Sequence, residues 1–185
     1  MVTRTHVSTY QIKVTLVDSK PPIWRRLLVP STVSLEELHS VLQIAMGWTD
    51  YHLHMFRAGD RYFGVPSRDF FDMEDEALVK LNEVLVNEKY SIRYEYDFGD
   101  DWRHKIVLEK ILPVDPGVPL PCCTAGKRAC PPEDCGGIWG YADFLVAIQD
   151  PKHPEHQDML EWVGVDFDPE SFDRDTVNTR FAIRY

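Results

Sequence analysis

The sequence predicts an α+β fold, in which an antiparallel sheet of hairpins packs against a helix of the N-terminal half and against C-terminal helices. Apolar residues alternate with polar ones in several stretches of the first 112 positions, whereas apolar residues with helical spacing dominate after residue 140. Strands first and helices last is an order typical of α+β proteins. Because 185 residues suit one domain, we expect a single domain over 1–185 with its core at about 10–183.

The first two strands are predicted from the start of the chain. Residues 10–18 alternate apolar and polar side chains, which is the period of a half-buried strand. The Ser-Lys-Pro-Pro sequence at 19–22 predicts a turn, because neither proline can donate a hydrogen bond to a sheet. Residues 23–29 return as a second strand that is apolar on both faces, so we expect it to be the more buried strand.

A helix is predicted from Ser34 to Gly47. Ser34 and Glu37 match a capping box, apolar residues recur along one face, and Gly47 suits the left-handed position at a helix end. His39 lies at the edge of the apolar stripe, where the pattern favours a hydrogen-bonded structural role over a ligand role.

Two histidines mark the next strand, His52 to Phe56, with residues 60–65 as its hairpin partner. Residues two apart on a strand face the same side, so the imidazoles of His52 and His54 are expected to project together. Such a pair can bind a metal ion, and it can equally be hydrogen-bonded in an aromatic interior without one. The sequence leaves both interpretations open.

Two short segments follow. Residues 67–76 are alternately acidic and aromatic, which predicts a surface loop or flap. Residues 78–86 predict a short helix with Leu78, Leu81 and Leu85 facing inward.

The central hairpin is predicted over residues 90–112, with a two-residue turn at 99–100. This turn would place Glu95 opposite His104, which shares one face of its strand with apolar residues. His104 is then either a core histidine that donates to a carboxylate or a metal ligand oriented by one.

The C-terminal part is predicted to be helical after a proline-rich, extended segment at 113–121. Helical spacing covers residues 141–149, and a second helix is predicted from Pro154 to Gly164. Asp173 can cap a last helix.

All four cysteines lie in the loop predicted at 113–137, spaced Cys-Cys-x6-Cys-x4-Cys. Thiolates of such a loop can hold structural zinc, and the candidate ligands are Cys122, Cys123, Cys130 and Cys135. Adjacent cysteines point apart, so the site would use one of the first two, completed by His104 or a carboxylate. The alternatives are inert buried thiols and a redox pair activated by the positive charge at 127–128.

Glu133 and Asp134 form an acidic pair after two prolines. They could act as a base or as metal ligands, and they could instead cap the helix beyond Gly137. Because the connection before them is short, we expect residues 122–137 to fold back onto the hairpin at 94–104.

The formal net charge of −10 disfavours binding to nucleic acid, which requires Lys and Arg to neutralise phosphates. The N-terminus lacks the apolar core of a signal peptide, and no apolar run is long enough to span a membrane. We therefore expect a cytoplasmic protein with reduced cysteines.

Several motifs resemble a known family. They are Trp-Arg-Arg at 24–26, Tyr-His-Leu-His-Met-Phe at 51–56, Tyr-Glu-Tyr-Asp-Phe-Gly-Asp-Asp-Trp-Arg-His at 94–104 and Ala-Cys-Pro-Pro-Glu-Asp-Cys-Gly-Gly at 129–137. They look like the Ri-plasmid ORF-three-like family, whose members are also described as insertion-element passenger proteins of a resolvase-like (TnpR) type. The resemblance covers about 10–181 and implies a compact α+β fold and an association with plasmids or insertion elements.

Three functional hypotheses follow. The preferred one is a binding or accessory module, because the sequence contains no phosphate loop, nucleophile elbow or metalloprotease helix. The second is a metal-dependent hydrolase, with candidate catalytic residues His52, His54, Asp97, Asp100, His104 and Glu133. The third, an accessory role in DNA recombination, is disfavoured by the acidic charge. A protein or a small molecule would be the partner of a binding module.

Overall fold

The structure is a computed structural model that describes residues 7–66, 72–164 and 166–185. Residues 67–71 of the predicted flap lie outside this described part. The strands are β1 Thr9–Leu16, β2 Trp24–Pro30, β3 His54–Ala58, β4 Arg61–Gly64, β5 Met73–Asp75, β6 Ser91–Tyr96, β7 Trp102–Leu112 and β8 Cys122–Lys127. The helices are α1 Leu35–Met46, α2 Leu81–Val84, α3 Gly137–Gln149, α4 His156–Val163 and α5 Arg174–Arg184, with a 3₁₀ turn at Glu76–Leu78.

The eight strands form one sheet in the order β5-β4-β3-β6-β7-β1-β2-β8. All neighbouring strands are antiparallel except β4 and β5, which run parallel. The predicted α+β class is therefore confirmed. β1, β6 and β7 each alternate buried and more exposed residues, and the buried face carries the core beneath the helices.

Helix α1 begins and ends as the sequence predicts. The Ser34 hydroxyl accepts the Glu37 N–H at 3.1 Å, and the Glu37 carboxylate accepts the Ser34 N–H at 2.9 Å. Gly47 has φ of 97°, the left-handed conformation that favours glycine at a helix end. The Asp173 cap of α5 is also confirmed, because its Oδ1 accepts the N–H groups of Asp175 and Thr176.

The second strand differs from its prediction. β2 is buried on one face only, like β1, and the buried positions include Arg25. Trp24 lies on the outer face, where Lys13 and Arg26 cover its ring at 4.8 and 5.3 Å. Long polar side chains thus shield the apolar residues that the sequence pattern assigned to a second buried face.

The central hairpin also differs, by one residue of register. Tyr94, not Glu95, lies opposite His104. The connection between the strands spans 97–101 instead of two residues, because Asp97 adopts φ of 58° and its Oδ1 accepts the N–H groups of Gly99 and Asp100. A one-residue slip moves every side chain to the other face, so Glu95 points away from the core and His104 has no carboxylate opposite it.

Three further expectations are corrected. Leu78 is exposed, whereas Leu81 and Leu85 are buried as predicted, because helix α2 covers only four residues. Helix α4 begins at His156, after Pro154. Residues 122–127 form edge strand β8 beside β2, so they lie far from the hairpin onto which the whole 122–137 segment was expected to fold.

Candidate ligand-binding cleft

Two histidines stack at the edge of helix α1. The rings of His39, on α1, and His54, at the start of β3, are parallel within 3°, and their centroids are 3.5 Å apart. No spacing in the sequence predicts this pairing, because the two residues come from separate elements that meet only when the helix packs on the sheet.

The His39 ring is held at both nitrogens. Nε2 lies 2.8 Å from Asp50 Oδ1, and Nδ1 lies 2.8 Å from the Tyr94 hydroxyl. A carboxylate can only accept, so Nε2 of His39 donates and Nδ1 accepts from Tyr94, which in turn accepts from Gln43 Nε2 at 2.9 Å. Burial lowers the pKa of His39, and the adjacent His54 lowers it further. His39 is thus a structural histidine, as expected, with a defined tautomer.

His54 is bound by a buried carboxylate. Its Nε2 lies 2.9 and 3.0 Å from the two oxygens of Glu76, which begins the 3₁₀ turn. The sequence analysis missed this pair, since Glu76 belongs to a stretch predicted as a solvated loop. A glutamate that follows a run of acidic residues carries no signal that distinguishes a buried partner from an exposed one.

His52 lies between two carboxylates from different loops. Its Nδ1 is 3.6 Å from Asp97 Oδ2, and its Nε2 is 3.3 Å from Asp134 Oδ1. Asp97 comes from the hairpin connection and Asp134 from the segment before α3. Asp97 and Asp134 both adopt positive φ, a backbone conformation that is uncommon for residues other than glycine.

Glu133 connects the cysteine-bearing segment 122–137 to the sheet by a hydrogen bond. It accepts a hydrogen bond from the Tyr96 hydroxyl at 2.5 Å and another from Thr49. Nearby, Trp48 Nε1 donates to the carbonyl of Pro131 at 3.0 Å, and the N–H of Gly136 donates to Asp100 at 3.2 Å. The predicted return of this segment onto the hairpin is therefore confirmed for 131–137.

The capping interpretation of the acidic pair is wrong. The carboxylate of Glu133 binds Tyr96 and Thr49, and that of Asp134 lies beside His52. The N-cap of α3 is Gly136, which makes no side-chain hydrogen bond. Burial and the hydrogen bond to Glu133 raise the pKa of Tyr96, so its hydroxyl remains a donor at neutral pH.

A cleft of about 600 Å³, here called the histidine cleft, is lined by His39, His52 and His54. Asp50, Glu76 and Glu36 also line it, whereas no Lys or Arg occurs among the described lining residues. Its remaining wall is apolar and includes Leu53 and Val65, which are 63% and 61% exposed. The cleft therefore combines a polar, acidic floor with an apolar rim.

His104 lies outside this cleft. It is fully buried and neither ring nitrogen makes a hydrogen bond, while burial lowers its pKa to about 4. His54 pairs with Tyr96, which pairs with Trp102, so β6 separates the two histidines by two strand spacings, or about 10 Å. The structure brings His52 and His54 into one cleft, sets Asp97 beside His52 and leaves His104 in the core.

The four cysteines are free thiols whose pKa values are raised by burial. The pKa of Cys123 rises to about 11 and that of Cys135 to about 12, the opposite of what a redox thiolate requires. Cys123 lies in one row with Leu27, Ile12 and Leu108 across four strands, three spacings or about 14 Å from the strand of His104. Cys123 and His104 therefore cannot share an ion.

Two groups of metal-binding residues occur in the described part of the chain, with ligand atoms within 4.8 Å of one another. They are His39, Asp50 and His54, and His52, Asp97 and Asp134; neither contains a cysteine. The first fits an ion poorly, because an ion midway between parallel rings 3.5 Å apart would lie well outside both ring planes. The second group is the better candidate, and zinc at the cysteines stays a prediction.

Three of the four residues in the basic pairs at 25–26 and 127–128 are engaged within the protein. Arg25 is buried, donates to the carbonyl of Ala45 at 2.9 Å and lies 4.2 Å from the Phe172 ring. Arg26 binds Glu109 through two hydrogen bonds, and Arg128 binds Glu170 at 2.8 Å. Such pairing lowers their availability for phosphates.

Fold and cleft together define an α+β protein with one eight-stranded sheet and an acidic, histidine-lined cleft at the edge of its first helix. The chain matches the plasmid pRiA4b ORF-3-like protein family over residues 8–176, and it belongs to that family. The resemblance stated from the sequence motifs is thereby confirmed.

Two similar proteins extend this comparison. The uncharacterized protein y4hQ of Sinorhizobium fredii is 42% identical over 159 residues, which are 85% of this chain and 81% of the relative. The crystal structure of the protein of unknown function MM3350 from Methanosarcina mazei Go1 has 41% sequence identity and a TM-score of 0.85. That match covers 92% of this chain and 98% of the other. Among the described residues, no helix is both long and apolar enough to cross a membrane.

Proposed function

We propose that this protein is a binding module and that the histidine cleft is its ligand site. The observation that carries the proposal is that the polar groups of the cleft floor are already paired with one another. Both nitrogens of His39 are engaged, and Nε2 of His54 is held by Glu76. A floor that is rigid before any ligand arrives suits recognition, because little side-chain freedom is lost on binding.

The rim of the cleft supports the same function. Leu53 and Val65 project apolar side chains into solvent at the edge of a concave site. Exposed apolar residues around a polar pocket are typical of surfaces that bind a protein segment or a small molecule. The ligand would bury the rim and present hydrogen-bond donors to Asp50 and Glu36.

The test uses a double substitution on the rim, Leu53→Asp with Val65→Asp, and a matched control, Ile183→Asp, at an 82% exposed position of helix α5. Tagged variants with a photo-crosslinker at position 36 are expressed in the native host. We expect the wild type and the control to crosslink one reproducible partner and the rim variant to lose it. Equal crosslinking by all three proteins, or a random set of products, would contradict the proposal.

We place this module in the cytoplasm, in the service of a plasmid or another mobile element. The four free thiols support a reducing compartment. The name of the plasmid family supports the genetic context. The acidic net charge and the internally paired arginines support a partner other than nucleic acid.

A second candidate function is metal-dependent hydrolysis at His52, Asp97 and Asp134. The favouring observation is that a carboxylate faces each nitrogen of the His52 ring, while Asp134 is exposed. Asp97 on Nδ1 would orient the ring, and Nε2 with Asp134 would hold an ion that keeps positions open for water. Such an ion would lower the pKa of bound water.

Metal content distinguishes the two functions. If the second one holds, protein purified without chelator contains about one equivalent of a divalent metal. His52→Ala should then lose the metal together with any hydrolysis of nitrophenyl esters or phosphates, whereas His156→Ala should lose neither. A metal-free wild type that also takes up no Zn²⁺ or Mn²⁺ in calorimetry would eliminate this candidate.

A further inference from the structure

A second cavity lies between helices α3 and α4, and one of its lining residues is Asp134, which lies beside His52. It measures about 310 Å³, the size of a single side chain or a small amine, and we call it the α3–α4 pocket. Phe144, Met159 and Trp162 form its apolar wall, and Asp134, Asp143 and Glu155 supply its polar groups.

Helix α4, which forms one wall of the pocket, buries its apolar face only in part. No residue of α4 is fully buried, although its apolar residues are grouped on one side. Trp162 meets Phe144 edge to face at 5.8 Å, and 48% of the tryptophan remains exposed. The exposed part of the indole offers a π face to a ligand in the pocket.

The pocket is anchored well enough to exist before a ligand arrives. Nδ1 of His156, in the first turn of α4, lies 2.8 Å from the carbonyl of Ala147 on α3. At the other end, the N–H of Gly164 donates to the carbonyl of Leu160 at 3.0 Å and closes the helix.

The charges of the pocket are of one sign. Three of its described lining residues are carboxylates and none is Lys or Arg. Asp134 lies beside His52, whereas Asp143 and Glu155 form no ion pair with any residue in the described part of the chain. An acidic pocket with an aromatic wall is complementary to a cation.

The spacing of the carboxylates argues for an organic cation over a metal ion. Asp143 and Glu155 belong to neither group of described side chains whose ligand atoms lie within 4.8 Å of one another. A bare divalent ion needs several oxygen ligands at about 2.0–2.6 Å and gains nothing from an indole ring. An alkylammonium group is larger than a bare ion, and its charge and its alkyl chain suit a carboxylate and an aromatic ring at the same time.

We propose that the α3–α4 pocket binds a primary alkylammonium group, supplied by a lysine side chain or by a free diamine. The alkyl chain would lie along Met159 and Phe144, and the ammonium group would contact the Trp162 ring and the carboxylates of Asp143 and Glu155. The α3–α4 pocket and the histidine cleft have no lining residue in common, and the test leaves Asp134, which lies beside His52, unchanged.

The test is calorimetric titration of the full chain with N-acetyl-lysine methylamide, putrescine and the uncharged N-acetyl-norleucine methylamide, at low and high salt. We expect the ammonium ligands to bind, more weakly at high salt, and the norleucine compound not to bind. Binding of putrescine alone would assign the site to a free diamine, and binding of the lysine compound would assign it to a peptide.

Two variants and a control locate the binding. Trp162→Leu is expected to weaken ammonium binding about 2- to 30-fold, the range of a cation–π contact. The double variant Asp143→Asn with Glu155→Gln changes only exposed side chains, so it tests the site even if the tryptophan variant folds poorly. We expect the double variant to bind the ammonium ligands about 2- to 20-fold more weakly. The control is Trp139→Leu, an 82% exposed tryptophan on α3 that lies outside this pocket.

Three outcomes would overturn the proposal: no binding of either amine at low salt, equal binding of the norleucine compound, or unchanged affinity in the carboxylate variant. Substitutions on the rim of the histidine cleft leave the α3–α4 pocket intact, so failure of one proposal does not imply failure of the other.

Discussion

The side chain of Asn178 pairs with both backbone groups of Cys123. The N–H of Cys123 donates to Asn178 Oδ1 at 2.7 Å, and Asn178 Nδ2 donates to the carbonyl of Cys123 at 3.0 Å. Cys123 lies on β8, the edge strand beside β2, and Asn178 lies on helix α5. The Asn178 side chain thus makes the two hydrogen bonds that a neighbouring strand would make, and it covers the edge of β8 where these backbone groups would otherwise be unpaired.

Replacing this amide should destabilise the protein. We expect Asn178→Ala to lower the free energy of unfolding by about 1–3 kcal/mol, because it leaves a buried donor and acceptor of Cys123 without partners. Urea unfolding followed by circular dichroism measures the change. The control is Arg180→Ala, a substitution at an exposed position of the same helix, which should have little effect. An equal loss of stability in both variants would mean that the loss comes from a change in helix α5 and not from the bonds to Cys123.

The hydroxyl of Tyr96 should control the order of the segment before α3. Tyr96→Phe removes the hydrogen bond to Glu133 and the acceptor of the Tyr51 N–H, and should cost roughly 1–2 kcal/mol of stability. Amide hydrogen exchange at Gly136 and Gly140 is expected to accelerate, because the loop loses its attachment to the sheet. The same change at Tyr90, which is exposed, serves as the control. Unchanged exchange in the Tyr96 variant would contradict this role.

Buried His104 should make stability fall on acidification. Its pKa is about 4 in the folded protein and about 6.5 when unfolded, so between these values the unfolded chain binds more protons. Stability therefore rises with pH through this window and is lost as pH falls from about 6.5 to 4, by roughly 3 kcal/mol in total.

The measurement is the free energy of unfolding from pH 4 to pH 7 for the wild type and for His104→Leu. The leucine variant should lose about this share of the pH dependence and should unfold no more easily at neutral pH, because the imidazole it replaces makes no hydrogen bond. Parallel curves for the two proteins would show that His104 is not the group responsible.

Gly140 should not tolerate alanine, although it lies inside helix α3. In most helices, glycine to alanine stabilises by about 1 kcal/mol. Here a Cβ at position 140 would overlap the carbonyl oxygen of Cys135, a backbone atom that cannot move aside by a side-chain rotation. We expect Gly140→Ala to lower the melting temperature by several degrees or to prevent folding.

The comparison is with Gly59→Ala, where the added methyl group meets nothing within 4 Å and only the positive φ of 61° opposes the change. This control should cost about 1 kcal/mol. If Gly140→Ala were as stable as the wild type, the close approach of Cys135 to α3 would be wrong.

The main elements of the fold could be predicted because they follow local chemistry. The capping box of Ser34 and Glu37, the stop at Gly47 and the cap at Asp173 each depend on residues within four positions of one another. Burial on one face of β7 likewise follows from the alternation of its own side chains. The register between β6 and β7 was harder to predict. The conformation of Asp97 lengthens the connection between these strands, and the Gly-Asp turn motif at 99–100 does not indicate that longer connection.

The candidate site was predictable only in part. His52, His54 and Asp97 were identified as chemically interesting; the two histidines line one cleft, and Asp97 lies 3.6 Å from His52. Glu76, the partner of His54, was missed, and so were Asp50 and Tyr94, the partners of His39. In an acidic chain, one more carboxylate or one more aromatic residue carries little information. His104 was included among the candidate catalytic residues because it lies in the central hairpin. The structure places its side chain in the core instead.

The sequence by itself determined the fold class, the limits of α1, the start of α5 and the family, since all of these depend on local periodicity and on contiguous motifs. Tertiary structure alone decided that His39 stacks on His54, that Glu76 is buried against His54, and that Asp134 reaches His52 from a loop 82 positions further along the chain (134 minus 52). These pairs form where a helix, a strand and two loops meet. Their energies depend on burial and direction, which no spacing in a linear sequence specifies.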